Sequence, residues 1–213
     1  MSATDFPGLS SRDIATLVGG LSVGSPYPDE PSMTAAAARA ALSAAFEPGD
    51  TDAALLIDSI GAVPTLRAVI GDTSPQSIRA ALHDAAAATV PPIDRLRDAL
   101  ARWRGRLPRA PLHAPLERAT RLGARLMTPE HPDWPTMLDG LELGAPITLW
   151  LRGDPGRLAC LSRSIALVGA RAASGYGEHV ALESAAGLSD RGFAIVSGGA
   201  YGVDAAAHRA ALS

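Results

Sequence analysis

The last fifty residues of the chain contain the same short pattern twice, and this repetition restricts the fold more than any other feature. An apolar run at 165–168 is followed by a glycine-rich turn and by helical spacing over 178–188. A second apolar run at 193–196 leads into a similar turn and another helical segment. Runs that are apolar throughout are typical of parallel strands buried on both faces. The sequence therefore predicts an α/β fold whose parallel strands are joined by a right-handed crossover.

The turns that follow these two strands carry the residues best suited to bind a ligand. Such turns lie side by side, and each leads into a helix whose first N–H groups lack internal partners. Glycine lets a phosphate approach the backbone, serine hydroxyls can donate hydrogen bonds, and arginine can bind phosphate with two N–H groups. The glycines could instead serve only to form tight turns. We predict a phosphate-binding crevice made by Gly169, Arg171, Ser174, Gly175, Tyr176, Gly177, Ser197, Gly198, Gly199 and Gly202.

Motifs for nucleotide cofactors and for covalent catalysis are absent from the sequence. The first turn lacks the G-x-G-x-x-G spacing, and a G-x-x-x-x-G-K-[ST] loop is excluded because the chain contains no lysine. Ser197 is not part of a G-x-S-x-G element. Asp204 and His208 share a helix face, and we interpret them as structural supports for the second turn instead of acid-base groups or metal ligands. We expect no cofactor, no metal and no enzymatic activity.

Two stretches in this region, VGARAASGYG and SGGAYGVDAAAH, resemble the paired signature of the DNA-processing protein A (DprA, or Smf) family. The preceding stretch TPEHPDWPTMLDGLELGAPITLWLRGDPGRL is similar to the lead-in of that family, in which a Trp-Pro element and a short strand come before the signature. One departure is Ala170, where the family more often has Ser or Thr. The matching order and separation of both stretches make the resemblance specific.

The resemblance implies a function and a set of partners. In this family an extended Rossmann-like domain binds single-stranded DNA and delivers it to the RecA recombinase, in natural transformation and DNA recombination. Carried over by position, Arg171 is similar to the DNA-contacting arginine, beside turn residues Gly169, Ser174, Ser197, Gly198 and Gly202. Full-length members form homodimers. Since the remaining strands lie downstream of the second signature in the family, we expect this chain to be an amino-terminal piece with a truncated sheet and an exposed sheet edge.

The region before the signature reads as helical. Residues 1–32 are rich in Ser, Gly, Pro and Asp and predict a mostly disordered lead. Residues 33–107 contain five helical segments separated by Gly and Pro, which the resemblance identifies with a small sterile-alpha-motif-like (SAM-like) domain. Residues 108–213 then form the incomplete Rossmann-like domain. Within it we predict short strands at 124–129 and 146–151 ahead of the signature strands.

Positive charge is concentrated between residues 91 and 125, which hold nine Arg against three acidic residues. Trp103 lies among these arginines. An exposed Trp103 could stack on a base while the arginines contact nucleic-acid phosphates. Alternatively Trp103 packs inward and the arginines pair with the acidic helical region. The arginines concerned are Arg95, Arg97, Arg102, Arg104, Arg106 and Arg109.

Other features bear on compartment and on alternative functions. The single cysteine, Cys160, cannot form an internal disulfide, and no leader or membrane-spanning stretch is present, which points to the cytoplasm. An alternative function is a phosphoribohydrolase on a related Rossmann-like scaffold, although its P-G-G-x-G-T motif is missing. A second alternative is an inactive truncated remnant or interaction module.

Overall fold

The computed structural model describes residues 9–21, 27–107, 111 and 113–213. The chain divides into two compact units, Met1–Pro155 and Gly156–Ser213. In the described residues the first unit is mainly helical with one small antiparallel hairpin, and the second is a β-α-β-α unit. This agrees with the predicted α/β fold, in which a short Rossmann-like sheet follows a helical region. Within the same residues, no helix has the length and apolar character needed to cross a bilayer.

Seven helices and two strands make up the described part of the first unit. The strands are antiparallel, with Leu126 opposite Trp150, and a 3-10 segment, Thr136–Gly144, lies between them. The elements are α1 Ser11–Leu21, α2 Glu30–Leu42, α3 Thr51–Ile60, α4 Ala62–Ile70, α5 Pro75–Asp84, α6 Ile93–Arg106, α7 Ala114–Arg121, β1 Arg125–Met127 and β2 Leu149–Leu151.

Capping residues set several of these helix boundaries. The Asp29 side chain accepts a hydrogen bond from the Ser32 N–H at the start of α2, and Asp50 accepts from two N–H groups at the start of α3. Helix α3 ends at Gly61, whose φ of +89° favours glycine. Helix α5 ends at Asp84, earlier than the predicted position near residue 89, and Ala86 takes a left-handed φ of +51° just beyond it.

The prediction of a disordered lead over 1–32 is wrong for the described residues in that range, 9–21 and 27–32. Residues 1–8 and 22–26 lie outside the described part of the chain. Helix α1 buries Ile14, Val18 and Leu21, which are spaced so that they share one face. It packs on α2 and α7. Burial of this face outweighs the low helical propensity of the surrounding glycines.

Trp103 packs inward, so the alternative in which an exposed Trp103 stacks on a base is wrong. Its side chain is fully buried, its ring lies 4.8 Å from that of Phe46, and its Nε1–H donates to Asp50 at 2.8 Å. The neighbouring arginines are occupied, which confirms the alternative in which they pair with the acidic helical region. Arg104 donates to the carbonyls of Ala68, Val69 and Thr73, and the ion pairs are Arg95–Asp52, Arg97–Asp94, Arg102–Asp50 and Arg106–Glu47. Arg109 lies outside the described residues.

The hairpin of β1 and β2 belongs to the helical unit. Leu126 is part of the helical core, Trp150 packs against that core, and Arg39 of α2 donates to the Ile147 carbonyl at 3.3 Å. Arg39 also pairs with Glu130 at 2.7 Å. Burial acts to raise the pKa of Glu130, but the Arg39 charge and nearby hydrogen bonds hold that pKa below its ordinary value. These contacts place the division between units at residue 155, whereas the domain boundary predicted from the sequence lies between residues 107 and 108.

The second unit has the order predicted for the last fifty residues. After a 3-10 segment, Pro155–Arg163, come β3 Ser164–Ala166, α8 Gly175–Ser189, β4 Ala194–Val196 and α9 Val203–Ala211. Strands β3 and β4 are parallel, with Ile165 opposite Ile195. Helices α8 and α9 pack closely through small buried residues, Ala181 and Ala185 on one side and Ala206 and Ala207 on the other. An Arg209–Glu178 ion pair of 3.6 Å joins the two helices at their exposed edge.

Asp50 should be a major determinant of the stability of the first unit. Its carboxylate both caps α3 and accepts the hydrogen bond of the buried Trp103 indole. Replacing Asp50 with alanine should lower the free energy of unfolding by about 2 to 3 kcal/mol, the sum of a lost cap and an unsatisfied buried donor. Urea unfolding followed by circular dichroism measures this loss. The matched control is Asp58→Ala, at an exposed position of the same helix, and equal losses for the two variants would contradict the assignment.

Candidate functional site

The first predicted turn runs from the end of β3 to the start of α8. The pairing of the two strands extends into it through the Leu167 N–H, which donates to the Val196 carbonyl at 2.9 Å. Ser174 is the N-cap of α8, and its Oγ accepts the Gly177 N–H at 3.2 Å. Gly175, Tyr176 and Gly177 form the first turn of that helix. The first N–H groups of α8 have no partner within the helix and face outward from its start.

Ser197, in the second turn, has a structural bond in place of the expected ligand contact. Its Oγ–H donates to the Leu167 carbonyl at 2.6 Å, which ties the end of β4 to the residue that follows β3. A hydroxyl carries one hydrogen, so this bond leaves the Ser197 oxygen able only to accept. Ser197 therefore positions the two turns and is not free to donate to a phosphate.

The two turns are held in direct backbone contact at Gly202. Gly202 has a φ of +75°, and a Cβ at this position would lie 2.3 Å from the Ala170 carbonyl oxygen and 2.5 Å from that of Arg171. The next residue, Val203, donates its N–H to the Ala170 carbonyl at 3.2 Å. Gly169 is also restricted, because a Cβ there would lie 2.7 Å from the Val203 side chain. These contacts fix the backbone that carries Arg171.

Asp204 and His208 both lie against Gly198 of the second turn. His208 Nε2 makes a 3.0 Å hydrogen bond with the Gly198 carbonyl. Asp204 is buried in the first turn of α9, and a Cβ at position 198 would lie 2.6 Å from its Oδ2. No side-chain cap is formed at the start of α9, where the N-cap is Gly202. Glycine is therefore needed at 198 to make room for the Asp204 carboxylate.

An open recess of about 540 Å³ lies where the two turns meet. Arg171 lines it, is exposed, and has no ion-pair or hydrogen-bond partner among the described residues. Asp204 lines it too, so the recess holds one cation and one carboxylate and is not uniformly positive. The remaining lining residues are Gly198, Gly199, Ala200 and Tyr201. Arg171 is thus the one described side chain of this recess with a charge suited to a phosphate.

Tyr201 is a site residue that the sequence-based prediction omitted. Its side chain is 86% exposed at the recess, on the residue before Gly202. Tyr176 is 79% exposed at the start of α8 but does not line the recess, and neither do Ser174, Gly175 and Gly177. A large aromatic residue in a turn built otherwise of small residues is the signal that identifies Tyr201, because such a turn cannot bury it. In the described residues, no three His, Cys, Asp or Glu side chains converge as a metal site.

Comparison with known proteins gives a family match for the part of the chain that contains both turns. Residues 125–213 match the family model described as DNA recombination-mediator protein A. The family match begins with β1 and includes the hairpin and the whole β-α-β-α unit, and therefore both turns of the recess.

Two proteins of Mycobacterium tuberculosis are similar to this chain, and both carry the name DNA processing protein DprA. They come from strains CDC 1551 / Oshkosh and ATCC 25618 / H37Rv. Each is 49% identical to this chain over 108 residues. The match covers 46% of this chain and 28% of each relative, so the chain corresponds to little more than a quarter of the length of these relatives.

Gly202 and Gly199 provide a matched pair for testing the contact between the turns. Gly202→Ala should destabilise the second unit by about 2 kcal/mol or more, because it combines a positive φ with a clash against two carbonyl oxygens. Gly199→Ala should change stability by less than about 0.5 kcal/mol, since no heavy atom lies within 4 Å of the added methyl. Hydrogen exchange of the β3 and β4 amides reports on this unit. Equal protection in the two variants would show that the contact does not hold the turns.

Proposed function

We propose that this chain binds single-stranded DNA through the recess between its two turns and acts in DNA recombination and transformation. The proposed activity is binding followed by handover to the RecA recombinase in the cytoplasm, without a cofactor and without covalent chemistry. The observation that carries the proposal is Arg171, an exposed arginine that has no partner among the described residues and lies on a backbone fixed by Gly202. An arginine on a fixed backbone can bind phosphate oxygens with two N–H groups, and only its side chain has to become ordered.

The charges of the recess limit where a phosphate can bind. The Asp204 carboxylate repels a phosphate from the start of α9. The acidic residue in the first turn of α8, Glu178, does not line the recess and pairs with Arg209 at 3.6 Å, and the first N–H groups of α8 have no partner within the helix. We therefore propose that Arg171 holds the phosphate beside the recess, on the side of the first turn that leads into α8, where Ser174 keeps its structural role as the helix cap.

Tyr201 supports a single strand as the ligand. A base whose Watson–Crick partner is absent can leave the strand and stack on an exposed aromatic ring, and every base has a face suited to this contact. Tyr201 is 86% exposed at the recess that Arg171 also lines. An arginine for the backbone and an aromatic ring for a base together favour single-stranded DNA of any sequence.

Arg171→Ala should weaken binding of a single-stranded oligonucleotide by about tenfold, because one charge-assisted contact is lost. The slope of log affinity against log salt should flatten by about 0.7, the value for one phosphate contact on a single strand. Fluorescence anisotropy with labelled oligothymidylate at several salt concentrations measures both quantities on the 213-residue chain.

Arg191→Ala is the matched control for this experiment. It removes the same charge from the same unit, but Arg191 precedes β4 and so lies at the opposite end of the sheet from the recess. We expect its affinity and salt slope to equal those of the unaltered chain. Failure of the unaltered chain to bind, or equal affinities for the two variants, would refute the proposed role of Arg171.

A further inference from the structure

The first unit contains an open groove of about 640 Å³, bounded by the end of α2, by α7 and by β2. Small side chains, including Ala44, Ala119 and Ala124, line part of it and leave room for a ligand. The groove is also lined by two arginines, Arg118 and Arg121, and by one aromatic residue, Trp150. A groove of this size accommodates a small organic group and not only a bare ion.

The two arginines of the groove have no counter-charge in the described part of the chain. Arg118 and Arg121 lie one turn apart on α7, both are exposed, and neither makes an ion pair with a described carboxylate. The single acidic residue of α7, Glu117, faces His113 instead, at 3.5 Å. An anion from outside the chain would therefore meet two unneutralised guanidinium groups.

The arginines of helix α6 differ from Arg118 and Arg121, because they have a structural role. Four of its arginines lie within ion-pair distance of a carboxylate, and a fifth, Arg104, donates to three backbone carbonyls. Those side chains are used within the fold. Arg118 and Arg121 of α7 have no such partner among the described residues and are available to a ligand.

Apolar groups in the groove indicate what the anion is attached to. Trp150 is half-buried, and its Nε1–H donates to Ser43 Oγ at 3.3 Å, which holds the indole in one orientation. Leu122, at the end of α7, is 57% exposed beside the two arginines. A fixed aromatic ring, an exposed aliphatic side chain and small neighbours form a slot for a flat ring.

We propose that this groove is a second binding site for single-stranded nucleic acid, with phosphates on Arg118 and Arg121 and a base against Trp150. An acidic peptide would also pair with the arginines, but it does not require the space beside a fixed indole. The site goes beyond the function proposed above, because all of its residues lie in the first unit and none belongs to the Arg171 recess.

The test uses Arg171→Ala as the starting chain, so that loss of the recess cannot be mistaken for loss of the groove. Oligothymidylate of about 12 nucleotides is the probe, and tryptophan fluorescence is the readout. Trp103 is fully buried and Trp134 is 6% exposed, so quenching reports mainly on Trp150. We expect the oligonucleotide to quench the fluorescence, and Trp150→Phe to remove that quenching.

Adding Arg118→Ala and Arg121→Ala should weaken binding in this background by about tenfold or more and flatten the salt slope by about 1.4, for two phosphate contacts. The control is Arg97→Ala with Arg106→Ala, which removes the same charge from exposed arginines that are already paired. Equal effects of the two double variants would overturn the proposal. It would also be overturned if oligoglutamate quenched Trp150 and oligothymidylate did not, since the groove would then be a site for acidic peptides.

Discussion

The site of the second unit depends on one backbone contact, the approach of Gly202 to the carbonyl groups of Ala170 and Arg171. Only a residue without a Cβ can be placed there, because the nearest carbonyl oxygen would lie 2.3 Å from the added atom. Two hydrogen bonds also hold the turns together. The Val203 N–H donates to the Ala170 carbonyl, and the Ser197 hydroxyl donates to the Leu167 carbonyl. The two turns thus stabilise one another. The recess and the position of the Arg171 backbone follow from this contact.

Some polar side chains of the two units make contacts within the fold, and others are available to bind a ligand. In the helical unit the arginines of α6 are neutralised by Asp50, Asp52, Asp94 and Glu47 or bound to carbonyl oxygens. In the second unit Ser174, Ser197 and His208 each make a bond that holds a turn. Arg171 is different, since its side chain is exposed and unpaired among the described residues. Only the structure distinguishes the two roles, because the same residue types occur in each.

Much of the second unit could be predicted from the sequence. Apolar strands and glycine-rich turns are local signals, and they correctly predicted the order β-α-β-α and the parallel direction of the two strands. The helical character of residues 33–107 was also correctly predicted. What the sequence could not supply were contacts between distant residues. Helix α1 depends on burial of Ile14, Val18 and Leu21 against other helices. The burial of Trp103 depends on its hydrogen bond to Asp50, which lies 53 positions away. The use of the Ser197 hydroxyl and the position of Tyr201 are likewise properties of the assembled turns.

Single-stranded DNA is the proposed ligand of the recess, and mapping the point of contact tests this most directly. Oligothymidylate can be cross-linked to the 213-residue chain with ultraviolet light and the modified residue identified by mass spectrometry. The account predicts an adduct at Tyr201, the exposed aromatic ring beside Arg171. Cross-linked chain without any adduct in the segments 169–177 and 197–204 would contradict it.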